Sequence, residues 1–159
     1  MDIVSIKANE GIGKIKLGME REEVYKVLGK TGDPNAQSEW IDIYHIEYRA
    51  GKVVFIELAN TYTNDYFALL HGVDVFRTEA KLLVKYLSEF GDYNTADPEL
   101  GFSYHFAELG VGFWRPVIFE YEMINNINFR NMIEENQLDE IKHLYFESVC
   151  VYTKDYYTS

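Results

Sequence analysis

One cysteine, three prolines and no long apolar run are the scarcities of this 159-residue chain. A lone Cys150 excludes an internal disulfide and fits a reducing compartment. It lies in the apolar, strand-like run Ser148-Val149-Cys150-Val151-Tyr152, where a thiol is expected to be a buried packing group and not a nucleophile. No window approaches the ~20 apolar residues of a membrane span. The segment Met1-Asp2-Ile3-Val4-Ser5 has no basic stretch leading into an apolar one, so a cytosolic protein without membrane contact is expected.

Positive charge is scarce as well. Lys and Arg number 15 against 26 Asp and Glu, giving a formal net charge of −11. An acidic field repels phosphate backbones and disfavours nucleic acid, while it attracts basic proteins and speeds their encounter. Solubility alone is the simpler use of the same charge.

Catalytic patterns are also missing. His45, His71, His105 and His143 are far apart, and no pair has the i, i+4 spacing of a helical metal site. Glu47 follows His45 on the same strand face, but two ligands do not make a site. Gly11-Ile12-Gly13 is too short for a dinucleotide loop and lacks its third glycine. Glu22/Glu23 and Glu134/Glu135 are sequence neighbours, which on a helix point about 100° apart and do not share a proton across a substrate. No catalytic, cofactor-binding or metal-ligating residue is assigned, and a non-enzymatic protein is expected.

What the chain does have is apolar and aromatic content. Hydrophobic residues make up 47% and aromatics 16%, with 13 Tyr, 10 Phe and 2 Trp, enough for a packed core. Aromatics suit half-buried strands, and Tyr also suits binding surfaces, so two readings of the tyrosines stand.

The most patterned segment is residues 9–29. Ile15 and Leu17 alternate with Lys14 and Lys16 as in a half-buried strand, and Gly18 permits a sharp turn. Glu20, Glu22 and Glu23 sit where a helix dipole favours them, and Val24, Val27 and Leu28 form the apolar stripe. Gly29 suits the left-handed position past the helix end. Residues 31–35 form a loop. Residues 40–48 read as one strand, with Ile41 and Ile43 opposite Trp40, Asp42 and Tyr44. A turn at Arg49-Ala50-Gly51-Lys52 returns the chain through 53–58 as a hairpin.

The pattern then restarts. Residues 67–70 and 73–76 are apolar, Thr78 is the expected N-cap, and Ala80, Leu83, Val84 and Leu87 make an amphipathic helix ending near Gly91. Residues 102–106 and 111–114 read as strands, 118–123 as a further strand, 137–144 as a short helix and 145–152 as the last strand. The prediction is one compact domain over 1–159, with pseudo-repeats 1–60 and 66–123 and a C-terminal extension 124–159.

Lys16-Leu17-Gly18-Met19-Glu20-Arg21-Glu22-Glu23-Val24 with Leu28-Gly29 resembles the Gly-Met-x-x-x-x-Val-x-x-x-Leu-Gly signature of helix-on-sheet domains related to SmpA/OmlA and to β-lactamase-inhibitor-protein-like folds. The resemblance implies helices packed on one face of antiparallel β-sheet, two tandem helix-plus-hairpin units, and a protein-binding role. Glu20 stands where that family has Ser or Thr as the cap. SmpA/OmlA relatives are envelope lipoproteins, and no signal segment or lipidation cysteine begins this chain. An acidic, Tyr-rich, cytosolic relative of the inhibitors resembles an immunity protein neutralising a basic toxin.

The expected fold is therefore α+β. The expected function is an inhibitor or immunity protein for a basic, toxin-like partner. Asp42, Tyr44, Glu47, Tyr48 and Glu57, on or beside the first hairpin, are the candidate contact residues. Against this, Tyr44 and Tyr48 pack in a core while Asp42, Glu47 and Glu57 are merely solvated. Two other functions stay open: a small-molecule or enzymatic cleft between the halves, and a self-associating structural domain.

Overall fold

The computed structural model describes residues 2–63 and 65–157. Glycines shape its first turns. β1 (Asp2–Lys7) pairs with β2 (Gly11–Ile12), which pairs with β3 (Ile15–Lys16), all antiparallel. A Cβ on Gly13 would collide with the Tyr44 hydroxyl, and its φ of 57° is one that side chains rarely adopt. The Gly-Ile-Gly sequence thus serves close backbone approach.

α1 (Arg21–Leu28) follows, with Glu20 at the N-cap and its amide bonded to Glu23 Oε1 at 3.4 Å in a capping box. Gly29 ends it at φ 65°. Val24 is fully buried while Val27 is exposed, so the apolar stripe is narrower than its sequence spacing suggests.

β4 (Ser38–Ile41), β5 (Tyr44–Arg49) and β6 (Lys52–Ala59) form an antiparallel meander. Residues 40–48 are therefore two strands, which corrects the single strand expected. Ile41 pairs with Tyr44 across a two-residue turn in which Asp42 has φ 57°. That turn reverses the parity of the side chains. Ile41, Tyr44, Ile46 and Tyr48 share the core face, and Trp40, His45 and Glu47 share the other. At the 49–52 turn Ala50 and Gly51 both have positive φ, 50° and 76°, as a primed hairpin turn requires.

The second half gives β7 (Tyr66–Leu70), β8 (Val73–Asp74), α2 (Ala80–Leu87), β9 (Ser103–Phe106) and β10 (Val111–Trp114). Glu79, not Thr78, is the N-cap of α2. A helical segment follows, with 3-10 turns at Tyr121–Asn125 and Lys142–Leu144 around α3 (Ile127–Arg130) and α4 (Glu134–Ile141). The strand expected at 118–123 is absent: its only regular structure is the start of that first 3-10 turn. β11 (Ser148–Tyr152) closes the fold, shorter than the strand expected over 145–152.

The result is an α+β fold with two sheets. The smaller has the order β3-β2-β1-β7-β8, and its β1–β7 pair is parallel. The larger is antiparallel throughout, ordered β4-β5-β6-β11-β10-β9. Each half supplies first strands to the small sheet, then a helix, then three strands to the large one. The halves join in parallel through β1 and β7, and antiparallel through β6 and β11.

One apolar cluster links both sheets with α1 and α2, including Ile12, Val24, Ile46, Ile56, Leu83 and Val149. A separate small cluster, Phe55, Cys150 and Tyr152, lies on the opposite face of the large sheet. The helical segment has its own core of Phe119, Phe129 and Leu144. It is tied down by Arg115, 1% exposed, whose guanidinium donates to the carbonyls of Gly101, Phe119 and His143 and to Glu120 Oε1 at 2.7 Å. Among the described residues no helix is long and apolar enough to cross a membrane.

Candidate functional site

The large sheet has one face committed to the core and one turned away from it. On the outer face the register builds a row across all six strands. Trp40 is opposite His45, His45 opposite Glu57, Glu57 opposite Cys150, Cys150 opposite Gly112, and Gly112 opposite His105. A second row carries Ser38, Glu47, Phe55 and Tyr152, and a third Ala59, Ser148, Trp114 and Ser103.

Trp40 is 57% exposed and stacks on the His45 ring at 4.9 Å. His45 Nδ1 lies 3.2 Å from Glu57 Oε1. Trp114, 41% exposed, stands at the far side of the sheet. Two large aromatic surfaces thus flank a carboxylate on one sheet face, an arrangement suited to cations and to apolar stems of long side chains.

The chain's last described residues cover part of this face. Between Glu47 and Tyr48 the β5–β6 register shifts, leaving Val54 as the extra residue of a bulge. Its carbonyl accepts from the Thr153 amide at 3.0 Å and so steers the tail back over the sheet. Tyr156 then stacks on Phe55 at 5.0 Å and donates its hydroxyl to Glu47 Oε2. Arg49 lies over the Tyr156 ring at 4.7 Å. Tyr157 packs edge-on against Tyr152 at 4.8 Å and His105 at 5.1 Å. Burial beneath this cover raises the Cys150 thiol pKa, and the nearby Glu57 carboxylate adds to the shift, so the group stays protonated. Burial also lowers the His105 pKa, against a smaller upward pull from Asp97.

The five residues singled out from sequence do not converge. Glu47 and Glu57 are on the outer face, Glu47 beneath Tyr156 and Glu57 beside His45. Asp42 lies in the β4–β5 turn, paired with Lys30 at 3.5 Å. Tyr44 and Tyr48 are 5% and 6% exposed on the core face, a correction that follows from the parity change at Asp42. Tyr48 donates to Glu39 Oε2 at 2.8 Å, in a knot where Tyr25 and Arg21 bind the same carboxylate. Trp40 and Trp114 were not singled out from sequence, although alternation against Ile41 and Phe113 marks both as outward-facing.

Other places offer less. A depression of about 670 Å³ forms an open trough along the β5–β6 turn beside Arg21, Gln37 and Arg49. Arg21 is already committed there to Glu39 and to the carbonyls of Asp33 and Ala36. Among the described residues no three His, Cys, Asp or Glu side chains are grouped to hold a metal ion.

No family model, curated protein or solved structure matches the chain.

Proposed function

We propose that this chain is a non-enzymatic protein-binding module that presents the outer face of its large sheet to a basic partner. The concrete form is a cytosolic inhibitor or immunity protein that occludes a basic toxin. The observation that carries this reading is the exposed Trp40 and Trp114 flanking Glu57 on a single antiparallel face. Tryptophan is enriched at the energetic centres of protein interfaces, and a carboxylate between such anchors, once a partner covers it, rewards a cation and penalises an anion. The net charge of −11 favours encounter with a basic protein. Similarity of the 16–29 segment to inhibitor-type helix-on-sheet domains agrees with the same role.

The test is affinity capture from the native lysate with the unaltered chain and with Trp40→Ala and Glu57→Lys. A basic protein recovered stoichiometrically by the unaltered chain, and lost with both variants at unchanged thermal stability, supports the reading. Capture of a basic protein undiminished by either substitution overturns this face as the contact surface.

A further inference from the structure

Beside the tail the outer face has a small depression. Gly112 is part of its lining, in the row that runs from Cys150 to His105. The His105 ring and the Cys150 sulfur close over Gly112 itself, 2.7 Å and 3.1 Å from where a Cβ would stand, and so form the floor. The depression is about 180 Å³, below the ~300 Å³ at which pockets for whole small ligands begin. It is the size for one side chain.

Its walls state what kind. Two residues along β10 stands Trp114, 41% exposed. On the other side Tyr157 is propped against Tyr152 and His105, and is 58% exposed. Glu57 lines the same hollow, one strand beyond Cys150, with His45 engaging its Oε1. Ser148 adds a hydroxyl. Among the described residues no Lys or Arg lines it. Burial keeps His105 from taking up a proton readily, so the floor carries no opposing charge near neutrality. Aromatic faces, a carboxylate and a hydroxyl suit a planar cation that stacks and donates at once, which is the chemistry of a guanidinium more than of an ammonium.

We propose that the hollow over Gly112, between Trp114 and Tyr157 and beside Glu57, receives an arginine side chain of the basic partner. The inference rests on the outer-face reading and names its central contact. The arginine stem lies along Trp114, and the guanidinium donates to Glu57 and Ser148.

The experiment titrates Nα-acetyl-arginine amide into the isotopically labelled full chain by NMR, with the citrulline and lysine analogues in parallel. The expected result is saturable shifts at the Gly112 amide and the Trp114 indole, with at least roughly tenfold weaker binding of citrulline, the neutral isostere. Trp114→Ala and Glu57→Gln, both on the exposed face, are expected to weaken the arginine analogue by a similar factor while amide spectra remain folded. Shifts that do not saturate, equal binding of the citrulline or lysine analogue, or indifference to both substitutions overturns the proposal. A chain that captures a basic partner through Trp40 but gives no titration at Gly112 fails here alone. A chain that titrates but captures no basic partner fails only in the wider reading.

Discussion

Consecutive residues of the large sheet live in different worlds. On β6, Ile56 is wholly buried in the main core while Glu57, its neighbour, faces outward beside His45. At the end of β10, Trp114 is exposed and the next residue, Arg115, is 1% exposed and bonded to three carbonyls and a carboxylate. The contrast separates residues that carry stability from residues that the fold can spare. Residues on the core face are held by packing, while on the other face Trp40 and Trp114 stay exposed and Phe55, Cys150 and Tyr152 are buried.

The largest effect is expected at Arg115. Arg115→Ala strands the Glu120 carboxylate and three inward carbonyls, costing about 3–5 kcal/mol, whereas Trp114→Ala shifts stability by roughly 0.5 kcal/mol. Urea unfolding of the two variants checks this, and equal losses would erase the distinction between the faces. Next comes Ile56→Ala, which opens a core cavity at a cost of about 2–5 kcal/mol. Its neighbour Glu57→Gln alters one partly exposed hydrogen bond to His45, worth ~1 kcal/mol or less.

A smaller effect concerns the tail. Tyr157 covers Cys150 through aromatic contacts of about 0.5–1.5 kcal/mol each, so Tyr157→Ala should let a thiol reagent label Cys150 roughly tenfold faster. Unchanged labelling would mean that the tail does not protect this face.

The smallest effect is a pH dependence. Burial holds the folded-state pKa of His105 below its ordinary 6.5. Between those two values the unfolded chain binds more protons than the folded one, so stability falls as the pH drops below about 6.5. His105→Gln should therefore lose less melting temperature than the unaltered chain between about pH 7.5 and about pH 5.5. Tyr152 and Tyr157 pack against the His105 ring, the protonated Cys150 thiol lies across Gly112 from it, and Asp97 pulls the other way. A steeper loss in the variant would assign the sensitivity elsewhere.

Local chemistry made several elements legible. The helix stop at Gly29, the amphipathic stripe of α2 and the Ala50-Gly51 hairpin turn all depend on residues within a few positions of one another. The parity error at Asp42 shows the limit of that reasoning. A single residue at positive φ turned one apparent strand into two and moved Tyr44 and Tyr48 into the core. Period-two alternation says which residues oppose each other, but not which set is covered. The small sheet with its parallel β1–β7 pair was not legible either, because it joins segments some sixty residues apart, 2–5 with 66–69.

By itself the sequence determined an acidic, aromatic α+β chain whose single thiol lies in an apolar strand, since those properties follow from composition and near-neighbour spacing. Only the tertiary structure decided which face would be open. Glu57 meets Cys150 across a ladder between distant halves, and the tail after β11 folds back over Phe55. Burial is a property of what packs above a residue, and here the packing partners come from the other end of the chain.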